Sequence, residues 1–254
     1  MPGIWTGIPG SRRASAAALA RLNLPHVAAL FMPGLASEST DAGPPAKISQ
    51  LVNPYYVAAD PIKGLIQTLD QSTFSNMPEQ DLVGWGSGKE TMLGSRPGHY
   101  HMDGTMSAAL TPPFGVALVL NATAGTGTTR RIVTSTVTST GPYFNASDNF
   151  TYYDSGGKVV SDAPMSAGHH ILMVLVDGTN ASAWIDGVAQ TPKALGSPAN
   201  LGPGLQILAN ASGVGSFYDS LIQSILLYDG DWTVDGTRAS IEASLDALAG
   251  GGIL

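Results

Sequence analysis

The sequence predicts a mostly-β fold: an antiparallel β-sandwich with an irregular N-terminal region and a short C-terminal helix. Three observations predict it. The chain of 254 residues holds 31 Gly and 17 Pro, and only 12% of its residues are charged, about half the usual share. Short apolar or alternating runs recur at about ten-residue spacing, separated by turn residues. A 3.6-residue apolar period is sustained only near the C-terminus. No fixed-period repeat is visible, which disfavours a propeller or a β-helix.

Residues 1–25 form a Gly/Pro/Ala-rich N-terminal arm. A helix is expected over 15–22, with Ser11 as a possible cap and Pro25 closing it. So short a helix either docks on something or frays. Residues 26–97 are read as an irregular, loop-rich region with a first strand at 26–32, open to being part of the sandwich. A short helix is expected over 61–69, with Asp60 as N-cap and Pro61 at its first position. The rest should be long loops with scattered short strands, a pattern associated with interaction surfaces.

Residues 98–250 read as one domain. Tyr100-His101-Met102 precede Asp103-Gly104, a turn signal. Residues 114–120 are a continuous apolar run, as in a buried strand. Residues 131–138 alternate as a half-exposed strand should. Residues 149–153 and 158–161 flank Asp154-Ser155-Gly156-Gly157, a hairpin signature. Further strands are expected at 170–176, 181–185, 188–190, 205–209 and 218–228. Ile241, Leu245 and Leu248 mark a helix over 237–248, ended by Gly250-Gly251-Gly252.

Composition narrows the functions. The net charge is -7, and no basic stripe exists beyond Arg12-Arg13 and Arg130-Arg131, so nucleic acid is not an expected partner. There is no cysteine, which removes disulfides and thiolate metal sites. No segment approaches the roughly 20 apolar residues of a membrane helix, and no membrane association is expected. The first residues lack the apolar run of a signal peptide, so synthesis in a cytoplasm without a cleaved signal is the expectation. Asn121, Asn145, Asn149, Asn180 and Asn210 each begin an Asn-x-Ser/Thr triplet. Turn chemistry is the preferred reading of these over glycosylation.

Residues 171–178 (Ile-Leu-Met-Val-Leu-Val-Asp-Gly) followed by Ala183-Trp184-Ile185-Asp186-Gly187 resemble paired strands of the concanavalin A-like lectin/glucanase superfamily, in particular its laminin G-like jelly-roll domains. Leu205-Gln206-Ile207-Leu208-Ala209 and residues 217–229 resemble later strands of that pattern. Ser220 and Ala209 stand where the family often has Gly. The resemblance covers about residues 98–248 and implies a jelly-roll sandwich, with Trp184 packed between two sheets or stacking on a ligand. Domains of this sort occur in phage structural proteins.

Glucanases in that superfamily carry a strand of alternating carboxylates for acid and nucleophile roles. The glutamates here, Glu38, Glu79, Glu90 and Glu242, form no such set, and no enzymatic activity is expected. His99 and His101 alternate on one strand face, but without a supporting carboxylate they read as surface or interface histidines rather than metal ligands. Gly84-Trp85-Gly86-Ser87-Gly88-Lys89 lacks the spacing of a phosphate loop. Calcium is a possible cofactor, as in lectins of this fold. The oxygen-rich candidates are Asn145, Asp148, Asn149 and Asp154, with turn formation the competing reading. Sugar-stacking candidates are Tyr143, Tyr152, Tyr153 and Trp232.

The expectation drawn from these readings is a virion structural protein: a phage tail fibre, head fibre or capsid-decoration component made in the host cytoplasm. It would be homo-oligomeric, contact other virion proteins through its N-terminal arm, and meet cell-surface glycans through its lectin-like domain. A stand-alone carbohydrate-binding module is the alternative, and a glycoside hydrolase a remote one.

Overall fold

The runs at 114–120 and 170–176 are apolar at consecutive positions, and such strands need cover on both faces. The computed structural model provides it. It describes residues 16–34, 37–40, 47–81, 85, 91–94, 100–154, 158–196, 200–210, 216 and 218–254. Ser11, Ser15, His99, Phe217, the 155–157 turn and most of the 84–89 run lie outside the described residues.

Two helices, α1 (Ala16–Leu22) and α2 (Arg238–Ala249), flank the strands in sequence. The first strands are β1 (Val27–Phe31), β2 (Ser37–Thr40), β3 (Lys47–Val52), β4 (Thr68–Asp70), β5 (Glu79–Asp81) and β6 (Thr91–Leu93). Then come β7 (Met102–Thr105), β8 (Phe114–Ala122), β9 (Arg130–Arg131), β10 (Val133–Ser135), β11 (Gly141–Phe144), β12 (Phe150–Tyr153) and β13 (Lys158–Val159). The last are β14 (Gly168–Val176), β15 (Asn180–Ile185), β16 (Val188–Ala189), β17 (Lys193–Ala194), β18 (Gly204–Ile207) and β19 (Leu221–Asp229).

One large antiparallel sheet runs β10-β18-β7-β4-β3-β5-β6-β19-β8-β14-β15-β16, with β1 also on β19, β2 on β3 and β17 on β15. A small sheet runs β13-β12-β11-β9. Strands before and after residue 97 therefore share one sheet. Apolar side chains from β3, β4, β7 and β18 meet those from β8, β14 and β19, and the small sheet's Phe144, Phe150 and Tyr152, in one inner core. The large sheet thus folds back on itself, and the molecule is a mostly-β open sandwich.

Strand alternation divides the central residues between two cores. In β8, Val116, Leu118 and Leu120 enter the inner core, while Ala117 and Val119 face a second, outer one. In β14, Leu172 and Val174 point inward, and Ile171, Met173 and Leu175 outward. A bulge between Ile222 and Ser224 lets both Ile222 and Ile225 of β19 face inward, because the extra residue resets the two-residue period.

The outer core is roofed by α1, α2 and Trp232. Ile241, Leu245 and Leu248 of α2 are fully buried there, and Gly250 ends the helix with φ 112°, a left-handed cap that favours glycine. Of the two readings of the N-terminal helix, docking holds: Ala18 and Leu22 of α1 are buried in this layer. Trp184 also belongs here. It packs edge-on against Trp232 with ring centroids 6.4 Å apart, so it lies under the helices and not between the sheets.

Three local expectations are corrected. Residues 61–69 form a turn leading into β4, not a helix. Asp60 Oδ1 does accept the Ile62 and Lys63 N–H groups, both at 2.8 Å. The chain then folds so tightly that a Cβ on Gly64 would sit 2.5 Å from the Asp60 carbonyl oxygen. Asp103-Gly104 lies within β7 and is not a turn. A Cβ on Gly104 would meet Leu69 Cδ2 at 2.6 Å, so this glycine serves close packing. Residues 131–138 are not one half-exposed strand: β9 belongs to the small sheet, β10 to the large one, and Ile132 to Ser135 are buried.

Candidate functional site

A row of polar residues crosses the large sheet. Register places Gln50 opposite Asp70, Asp70 opposite Asp103, Asp103 opposite Gln206, and Gln206 opposite Thr134. Their neighbours Leu51, Leu69, Met102, Leu205 and Val133 fill the inner core, so by alternation the row faces away from it.

The carboxylates of Asp70 and Asp103, both exposed, stand directly opposite on adjacent strands. Like charges in that position destabilise a sheet. Each is held by an amide: Gln50 Nε2 donates to Asp70 Oδ1 at 2.6 Å, and Gln206 Nε2 to Asp103 Oδ1 at 2.7 Å. Thr68 Oγ1 donates to Asp70 Oδ2 at 2.7 Å, and His101 Nε2 lies 3.7 Å from Asp103 Oδ2.

Beside the row opens a cleft of about 540 Å³, lined by Tyr56, Gln67, Thr68, Asp70, Asp103 and Thr105 among others. That is within the usual size of a small-molecule site. The turn after Asp60 forms one wall, tied across by the Ser107 N–H donating to the Leu65 carbonyl at 2.7 Å. The lining combines carboxylate acceptors, amide and hydroxyl donors, and one amphipathic ring.

These residues escaped sequence reasoning because Asp103-Gly104 resembles a turn. The available signal was alternation: His101, Asp103 and Thr105 interleave with Met102, Gly104 and Met106.

The residues singled out from sequence are placed elsewhere. Trp232 and Tyr152 are fully buried and present no ring face to a sugar, which corrects their assignment; burial also pushes the Tyr152 hydroxyl pKa up. Tyr143 is buried and Tyr153 half-buried, and the Arg131 guanidinium lies 4.3 Å and 4.5 Å from their ring centroids. Burial raises the Tyr143 hydroxyl pKa, and Arg131 opposes the shift.

Two of the proposed calcium ligands, Asn145 and Asp148, have protein partners for their oxygens. Asn145 Oδ1 accepts the Ser147 and Asn149 N–H groups at 2.9 and 3.1 Å, an Asx turn between β11 and β12. Asp148 accepts from Arg130 Nη2 at 2.5 Å and the Gly125 N–H at 2.6 Å. Asp154 is buried. Among the described residues, no three His, Cys, Asp or Glu side chains gather at metal-binding range.

A Ser–His–Asp grouping occurs at Ser166, His170 and Asp186. His170 Nδ1 lies 2.7 Å from Asp186 Oδ2, and Nε2 lies 3.4 Å from Ser166 Oγ. Nε2 is closer to the Ser166 carbonyl oxygen, at 3.2 Å. Each ring nitrogen thus has an acceptor within reach, the Asp186 carboxylate at Nδ1 and the Ser166 carbonyl at Nε2. Burial pulls the His170 pKa down, but the Asp186 carboxylate and the Ser166 carbonyl outweigh it, and the pKa is raised.

Neither protein-family patterns nor the sequences of curated proteins match this chain. Solved structures do. The botulinum neurotoxin serotype D binding domain aligns with a TM-score of 0.52 at 9% identity, covering 90% of this chain and 53% of that one. The binding domain of botulinum neurotoxin DC in complex with SialylT aligns at 0.49 with 9% identity, covering 72% of this chain and 49% of that one. Domain 4 of AbnA, a GH43 extracellular arabinanase from Geobacillus stearothermophilus, in complex with arabinotriose, aligns at 0.43 with 12% identity, covering 63% and 77%. The chain spans about half the length of the toxin binding domains it matches. At the level of fold it is a mostly-β open sandwich similar to the serotype D binding domain.

Proposed function

We propose that this chain is a non-catalytic binding domain that recognises glycans in the cleft between β4 and β7. The observation that carries the reading is the cross-strand row that holds the paired carboxylates of Asp70 and Asp103 between Gln50 and Gln206. Such a row supplies acceptors and donors at strand spacing to the hydroxyls of a saccharide, and Tyr56 supplies an apolar ring face. The likeness in fold to the serotype D toxin binding domain is in keeping with this.

Catalysis by the two aspartates is disfavoured by their likeness. Both are exposed and both accept from a glutamine amide, whereas an acid and a nucleophile need environments that differ. The finer reading is a surface-attachment component of a phage particle. Its support is compositional: low charge, no cysteine and many turn-formers. In this reading residues 1–15 serve as the anchoring arm, and cosedimentation with particles should fail when they are deleted.

The test of the glycan reading is a glycan array with wild type and Asp103→Asn, with and without calcium. The expected result is selective binding, lost in the variant and independent of calcium. Binding that survives Asp103→Asn would move the site out of this cleft.

A further inference from the structure

We propose that Arg131, nested between the rings of Tyr143 and Tyr153, is a second binding site, specific for the carboxylate of an acidic saccharide. Arg131 and Arg130 are adjacent on β9 and point to opposite sides of the small sheet. Arg130 turns inward and is neutralised by Asp148. Arg131 turns outward, opposite Tyr143 on β11. The ion pairs formed among the described residues do not include Arg131. The only hydrogen bond its guanidinium makes among them runs from Nη1 to the Ser139 carbonyl at 3.5 Å, at the limit of such a bond.

This is unexpected in a chain with 12 Lys and Arg against 19 Asp and Glu. The charge is held in place by rings instead: the two tyrosines meet at 64° with centroids 6.4 Å apart, and the guanidinium fills the angle between them. Cation–π contact fixes the plane of the group and strips part of its water. Its N–H edges are left for a planar, bidentate acceptor, which a carboxylate matches. Tyrosine edges on both sides suit a sugar ring carrying that carboxylate. The saccharide part of the inference rests on the reading of the chain as a glycan-binding domain; the anion site does not.

The experiment measures binding of D-glucuronate, its uncharged methyl ester and inorganic sulfate by ligand-observed NMR. The proteins are wild type, Arg131→Gln, Arg131→Lys and Asp103→Asn, with melting temperatures recorded as a check on folding. Wild type should bind glucuronate and bind the methyl ester about tenfold or more weakly, as expected for loss of a charge-assisted pair. Arg131→Gln should lose glucuronate. Arg131→Lys, which keeps the charge but not the fork, should fall between, and Asp103→Asn should bind as wild type does.

Equal binding of acid and ester, or full glucuronate affinity in a folded Arg131→Gln, would overturn the proposal. Sulfate that binds as tightly as glucuronate would overturn the saccharide assignment. Loss in Asp103→Asn alone would place glucuronate in the β4–β7 cleft, refuting this site and leaving the cleft reading intact. If wild type binds no glucuronate, the Arg131 proposal fails, while the cleft is judged separately by neutral glycans on the array.

Discussion

His170 illustrates how a few contacts fix a side chain's chemistry. With acceptors in reach of both ring nitrogens, its folded pKa lies above the ordinary 6.5. A raised folded pKa contributes stability that is complete below the unfolded value and is lost as pH rises through the folded one. Urea unfolding should therefore show stability falling from pH 6.5 upward until the folded pKa is passed, and His170→Gln should flatten that segment. His169 beside it shifts the other way, lowered by burial and by the charge of His170.

Trp232 is bound by a different constraint, that of shape. A Cβ on Gly115 would lie 2.3 Å from its Cζ3, so the indole packs directly on the β8 backbone. Gly115→Ala should cost roughly 1–3 kcal/mol through overpacking, and Trp232→Ala about 3–5 kcal/mol through loss of a fully buried ring. Thermal melts of the two variants check both.

At the scale of elements, strands buried on both faces were legible because their runs are apolar without interruption: 114–120 became β8 and 170–176 became β14. The C-terminal helix was legible from Ile241, Leu245 and Leu248. The cleft was not, for two reasons. β4 and β7 are only three and four residues long, too short for a two-residue period to stand out. The aspartates also owe their setting to partners far away in sequence, Asp103 to Gln206 above all.

The oxygen-rich loop between β11 and β12 was visible as a loop, but its partner was not. Arg130 sits on β9, fully buried, and claims Asp148. Asp148→Asn should therefore destabilise the fold by about 3–5 kcal/mol, as when one member of a buried ion pair is removed. A chelator should leave the melting temperature of wild type unchanged. A marked drop with chelator would restore a metal to this loop.

For the whole molecule, one sheet folded on itself produces two unlike outer surfaces. Over β8, β14 and β19 the outside is apolar and closed by α1, α2 and Trp232. Over β3, β4, β7 and β18 it is polar and open, and the cleft lies there. The division follows from composition of the strands: consecutive apolar residues where helices cover them, and alternating polar residues where water or a ligand does. In the proposed function the open face binds saccharide. Its most direct test is backbone amide chemical-shift mapping with a glycan selected from the array. The shifts should cluster at 67–70 and 103–107, with Tyr56 among them, while β11 and β12 respond only to carboxylated sugars. Shifts confined to other surfaces, with 67–70 and 103–107 unmoved at saturating ligand, would contradict it.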